Sequence, residues 1–251
     1  MQGSHEVEEQ ATAFLDRHLR FSSGSKAERP HVTLTFAVSH DGKIAGPGKA
    51  QLALSGAESM LMTHTLRTLH DGILVGIGTV LNDNPQLNAR LLSQPPTVAQ
   101  LPKPVVLDSQ LRTPSDCKLI RNHTAGVGRQ PLILASERAS QQRRLELERA
   151  GAEVVQVPSL DWQTILKHVH AAGLRRLMVE GGAAVIDSLV QQPQHIDALL
   201  VTIAPVTVGP QGFGFSSPLP DVDTTDEQAG WSPPSRSKFG KDDVVVWHRH
   251  R

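Results

Sequence analysis

Two glycine-bearing strings stand where runs of apolar residues end: Gly76-Ile77-Gly78-Thr79 after Ile73-Leu74-Val75, and Glu180-Gly181-Gly182-Ala183 after Leu177-Met178-Val179. Glycine lets a phosphate approach backbone N–H groups without a Cβ in the way, and a helix that starts just beyond adds a favourable dipole. Thr79 would add a hydroxyl donor. A plain tight turn uses the same residues, so either string alone is ambiguous. Neither is a Gly-x-Gly-x-x-Gly fingerprint, and no Gly-Lys-Ser/Thr follows a glycine-rich strand end. Arg67 and Arg90 flank the first string; together they can grip a phosphate through bidentate contacts, or be two solvated surface cations. Asp41 and Glu180 stand at predicted strand ends. Each can orient a polar substrate or handle a proton if partial burial raises its pKa. Asp41 also suits a turn before Gly42, whereas an acid between a buried strand and a glycine pair needs a partner. The twelve histidines include no His-Glu-x-x-His, and His168 and His170 do not share a helix face, so no metal is expected. Cys117 sits in a Pro/Asp/Lys loop without a paired catalytic histidine motif, and no Gly-x-Ser-x-Gly elbow occurs.

These residues need elements to hold them. Val32, Leu34, Phe36 and Val38 alternate with Thr33, Thr35, Ala37 and Ser39 as a strand does, and Ser39-His40-Asp41-Gly42 turns it. Ser55 with Glu58 predicts a capping box, then a helix with its stripe on Met62, Leu66 and Leu69. Strands follow at 73–77, 105–107, 132–135, 154–157, 176–179, 199–204 and 244–247. Helices are predicted over 137–149, over 160–172 with Ser159 as N-cap, and over 183–190. Alternating strands and helices predict an α/β domain with a mainly parallel central sheet flanked by helices and antiparallel edge strands. Residues 1–28 read as an N-terminal helix, with Val7, Ala11, Phe14 and Leu15 on one face, and a Ser22-Ser23-Gly24-Ser25 link. Residues 29–251 read as one domain with loop insertions near 93–104, 121–130 and 210–241. Edge strands near 199–208 and 244–248 are apolar enough to pair with another chain.

The 251 residues carry 25 Lys+Arg against 25 Asp+Glu, a net charge of zero, with 39% hydrophobic residues. That suits a globular core and argues against non-specific nucleic-acid binding. No apolar run reaches the roughly 18 to 20 residues of a membrane span, and the first twenty residues lack a secretory h-region. The expectation is a cytoplasmic protein acting on a small molecule.

Four strings then appear in order: 29–45 (Arg-Pro-His-Val-Thr-Leu-Thr-Phe-Ala-Val-Ser-His-Asp-Gly-Lys-Ile-Ala), 76–90 (Gly-Ile-Gly-Thr-Val-Leu-Asn-Asp-Asn-Pro-Gln-Leu-Asn-Ala-Arg), 105–109 (Val-Val-Leu-Asp-Ser) and 177–183 (Leu-Met-Val-Glu-Gly-Gly-Ala). Together they resemble the reductase family of riboflavin biosynthesis, over about residues 29–209. The resemblance implies a dihydrofolate-reductase-like fold and NADPH, with NADH possible, as the reductant. It implies reduction of a small phosphorylated pyrimidine, 2,5-diamino-6-(ribosylamino)-4(3H)-pyrimidinone 5′-phosphate, by a homodimer. The absence of Pro-Cys-x-x-Cys fits the form without a fused zinc deaminase. Carried over by position, Ala37, Thr79, Asp83, Ser109, Gly181, Gly182, Ala183, Ala184, Val185 and Ile186 resemble cofactor contacts. Arg67, Leu87, Arg90 and Glu180 resemble substrate contacts; for the proton donor the candidates are Glu180, Asp41 or water. The rival readings are a dihydrofolate- or pterin-type reductase on the same fold and a non-catalytic nucleotide-binding module.

Overall fold

The computed structural model describes residues 2–21, 28–47, 52–214 and 230–250. The Ser22–Ser25 link, residues 48–51 and residues 215–229 of the expected late loop lie outside them.

Among the described residues one sheet of nine strands forms the centre. Its strands are β1 (His31–Ser39), β3 (Gly72–Gly76), β4 (Lys103–Leu107), β5 (Leu132–Ser136), β6 (Glu153–Val157), β7 (Arg176–Gly181), β8 (Ala198–Ala204), β10 (Ser235–Phe239) and β11 (Asp242–His248). The spatial order is β10-β11-β8-β1-β7-β3-β4-β5-β6. From β8 to β6 every pairing is parallel; β11 runs antiparallel to β8, and β10 antiparallel to β11. The short strands β2 (Lys43–Ala45) and β9 (Phe213–Gly214) pair separately.

Helices cover both faces. Alternate residues of each central strand feed two core clusters: Ile73, Val75, Met178 and Leu200 on one face, Leu74, Leu177, Val179 and Leu199 on the other. The first face is closed by α1 (Gln2–His18), α2 (Ala57–Thr68), α4 (Lys118–Thr124) and α5 (Gln141–Ala150). The second is closed by α6 (Trp162–Ala171) and α7 (Ala183–Val190), through Trp162, Ile165, Leu166, Val169, Ile186 and Leu189. Parallel strands buried on both faces explain why Thr33 and Thr35 of β1 are as hidden as Val32 and Leu34.

Several expectations need correcting. The expected break at Arg29 does not set α1 apart, because Ala11, Phe14 and Leu15 are buried against Met62, Leu66 and Phe239; Phe14 meets Phe239 edge-on at 5.7 Å. The capping box at Ser55 and Glu58 does not form. Gly56 is the N-cap of α2, and the Asp242 carboxylate accepts from its N–H at 2.6 Å and from the Ser59 hydroxyl. In α6 the cap is Asp161, not Ser159. Two short helices were not among those predicted: α3 (Ile77–Asp83), directly after β3, and α4, which takes in the start of the expected loop 121–130. Part of the 210–241 insertion is strand β10. That strand covers β11, and β11 covers β8, so 199–208 and 244–248 do not form edges; β10 and β6 do. Exposed Arg236 and Lys238 on β10 mark a protected edge.

Candidate active site

The rim at the C-terminal ends of the parallel strands is where open α/β sheets take ligands. Strands β1, β7, β3 and β4 are successive neighbours there. Ala37 near the end of β1, 180–186 at and beyond the end of β7, 76–83 at and beyond the end of β3 and Ser109 after β4 therefore share one rim. The two glycine strings, a hundred residues apart in the chain, touch. A Cβ on Gly182 would stand 3.3 Å from the Gly76 nitrogen and 3.5 Å from the Thr79 hydroxyl, and Gly182 itself has φ +87°. A Cβ on Gly76 would stand 2.8 Å from Val185, whereas the space around Gly78 is open to 4 Å. The crossing of β3 onto β7 thus demands glycine for packing, and leaves a surface of backbone with one hydroxyl in it.

The residues expected on that surface differ in what they present. Ala183 and Ala184 open α7, where first-turn N–H groups point out of the helix end. The Val185 and Ile186 amides turn back to the Gly182 carbonyl at 2.8 and 3.0 Å, and Ile186 is buried in the core. Asp83 ends α3 half-buried, and that burial pushes its carboxyl up. Ala37 is half-buried in a strand otherwise closed on both sides, and Ser109 is exposed in the turn after β4.

Beside this surface lies a polar cluster. Arg67 from α2 and Glu180 from β7 form a largely buried ion pair, with Arg67 Nε donating to Glu180 Oε2 at 3.2 Å and Nη2 to Oε1. Arg67 Nη1 donates to the Asn88 carbonyl at 2.9 Å. The Arg90 side chain is exposed and donates to Asn88 Oδ1 at 3.1 Å. Partial burial and then the Arg67 charge lower its pKa, while Glu180 raises it, so the three groups share one field.

This arrangement alters four expectations. Arg67 is neither a free grip nor a solvated surface cation, since it is ion-paired with Glu180. Glu180 faces guanidinium N–H groups with both oxygens, so it accepts and does not donate. Leu87 is buried at 4% exposure with φ +47°, and its side chain packs in the core. Asp41 accepts from the Ser39 hydroxyl at 2.6 Å and from the Val208 and Gly209 amides at 3.0 and 2.8 Å. Those donors hold its carboxyl far below the usual range and tie it to the 208–209 backbone. Sequence reasoning missed His64 and Asn88; the one available signal was the i, i+3 spacing of His64 and Arg67 on a predicted helix. Among the described residues no group of three His, Cys, Asp or Glu side chains is placed to hold a metal, and no helix is long and apolar enough to cross a membrane.

Comparison with known proteins bears on this site. The family described as the RibD C-terminal domain matches residues 30–228. A protein of Debaryomyces hansenii named 2,5-diamino-6-ribosylamino-4(3H)-pyrimidinone 5′-phosphate reductase is 37% identical over 208 residues, 76% of this chain and 81% of that protein. The protein of the same name from Archaeoglobus fulgidus is 33% identical over 187 residues, 72% and 83% of the two chains. The solved riboflavin biosynthesis reductase Rib7 of Saccharomyces cerevisiae matches with a TM-score of 0.70 at 26% identity, over 90% of this chain and 93% of that one. Acinetobacter baumannii RibD shares the fold, with a TM-score of 0.73 at 20% identity over 90% of this chain and 59% of its own. The family match runs through both glycine junctions and the Arg67–Glu180 pair, and by it this chain belongs to the RibD C-terminal domain family.

Proposed function

We propose that this chain reduces 2,5-diamino-6-(ribosylamino)-4(3H)-pyrimidinone 5′-phosphate to the ribitylamino product, with NADPH as reductant. The observation that carries the reading is the meeting of the two glycine junctions at one rim, with the exposed Arg90 guanidinium in the neighbouring cluster. The relatives named as reductases of that substrate support it.

The chain's residues fit a dinucleotide. Gly181, Gly182 and the open space at Gly78 form a cradle that side chains would fill. Thr79 and the first amides of α7 offer donors suited to a pyrophosphate. When bound, the reduced nicotinamide supplies the electron pair for reduction at the sugar carbon. The protein supplies position and exclusion of water.

Arg90 carries the substrate's phosphate in this reading. Arg67, cancelled by Glu180, shapes the floor beside it and keeps two N–H groups for further contacts. Binding energy taken from the phosphate, remote from the reacting carbon, is spent on orientation there. A pterin-type substrate fits less well. Its amidine edge needs a carboxylate that is not already engaged, and Glu180 is paired with Arg67 while Asp41 holds a loop.

The test is NADPH oxidation, followed by absorbance, with purified substrate and with NADH as a second reductant. Turnover is expected with the phosphorylated pyrimidine, and Arg90→Ala should raise KM and lower kcat/KM by about tenfold or more. NADPH binding without turnover would favour the non-catalytic module instead.

A further inference from the structure

Helix α2 grips the segment 88–90 at two points one turn apart. Arg67 Nη1 donates to the Asn88 carbonyl at 2.9 Å, and the Arg90 backbone N–H donates to His64 Nδ1 at 3.0 Å. His64 is completely buried. Burial first, then the Arg67 and Arg90 charges, push its imidazole down to about 3, so the ring is neutral at working pH. Because Nδ1 accepts, the single ring proton sits on Nε2. Arg67 Nη1 stands 3.4 Å from Nε2 and is itself a donor, so that contact is not a hydrogen bond. Accepting from Arg90 is therefore the ring's working polar contact. The segment it ties down needs such a tie, since Leu87 just before it holds the left-handed φ of +47° that a leucine rarely adopts.

We infer that His64 is a positioning residue: as a neutral acceptor it fixes the Arg90 backbone so that the guanidinium stands beside the Arg67–Glu180 pair, and thereby sets the preference for a phosphorylated over an unphosphorylated substrate. The inference rests on the reading of Arg90 as the phosphate anchor. Arg67 belongs to the same clamp, but it is also tied to β7; His64 has the narrower task and makes the cleaner probe.

The experiment compares H64L and H64N with the wild type on the pyrimidine 5′-phosphate and on its dephosphorylated form. Asparagine hangs its amide oxygen from Cγ where histidine hangs Nδ1, so it can still accept from Arg90; leucine fills similar volume and cannot. H64L should raise KM for the phosphorylated substrate about tenfold, with kcat within about threefold, and H64N should stay within about twofold of wild type. For the dephosphorylated form kcat/KM should be the same in all three proteins. Hydrogen exchange at the Arg90 amide should speed up in H64L and stay slow in H64N, and thermal melting confirms that each variant is folded. Unchanged KM and exchange in H64L would overturn the inference. So would equal losses on both substrates, or an H64N no better than H64L. Failure of the wild type to turn over the phosphorylated pyrimidine would instead sink the proposed function. In that case a titration of inorganic phosphate followed at the Arg90 amide decides: weaker binding in H64L than in H64N supports the inference, and equal binding overturns it.

Discussion

Breaking the Arg67–Glu180 pair should be costly in one direction and cheap when both partners go. The two side chains are only 10% and 17% exposed, so neither charge can turn fully to water. Removing one partner of a buried pair costs about 3–5 kcal/mol, because the other is left uncompensated. The residual exposure here points to the low end of that range. The two single changes are not equivalent. Arg67→Met strips both Glu180 oxygens and also the Asn88 carbonyl, whereas Glu180→Leu leaves Arg67 one of its protein acceptors. Arg67→Met should therefore be the worse of the two. For a chain of this length each kcal/mol shifts Tm by about 2–4 °C, so a loss of roughly 6–12 °C is expected. The double variant, which puts apolar side chains at both positions, should recover most of that loss. Its kcat/KM should nonetheless remain depressed, because the rim has lost its polar floor. The assay is thermal unfolding of the four proteins as a double-mutant cycle, with kinetics alongside. Single variants that melt within about 2 °C of wild type, with effects that simply add in the double, would mean that the two charges do not depend on each other.

Other consequences follow from particular contacts. Gly182→Ala puts a Cβ at φ +87°, 3.3 Å from the Gly76 nitrogen; a loss of about 1–3 kcal/mol in stability is expected, with weaker NADPH binding seen by calorimetry. Asp242→Ala removes the acceptor for the Gly56 N–H and the Ser59 hydroxyl and should cost about 1–2 kcal/mol by denaturant unfolding, with the 3-residue-distant Phe239 packing unchanged by near-UV spectra. Burial holds His64 at about 3 and His70 at about 4, below the ordinary 6.5. Both are neutral in the fold, so below pH 6.5 the unfolded chain binds more protons and stability falls as pH drops towards 4. Each histidine contributes a slope of about 1.4 kcal/mol per pH unit in that window. H64N should melt with a shallower decline between pH 6.5 and 4 than the wild type; parallel curves would count against a buried neutral His64.

How much of this was readable in the chain depends on range. The alternation of Val32, Leu34, Phe36 and Val38 and the stripe of Met62 and Leu66 are written within a few residues, and both elements formed. Short α3 was hidden because Gly78 and Thr79 are poor helix formers and its seven residues show no full stripe. Asp242 capping α2 was invisible for another reason: the partners are 186 positions apart and meet only because β11 returns beside β8.

The same division runs through the candidate site. Residue types, spacing and the two glycine strings already marked the strand ends as the place for chemistry, since local periodicity and the special backbone freedom of glycine are properties of the chain itself. Strand order brought Gly76 against Gly182, while the packing of α2 on the sheet paired Arg67 with Glu180 across 113 positions and a loop after β8 took up Asp41. A side chain's charge belongs to its residue, but whether that charge is free to act is decided by the neighbours that folding supplies.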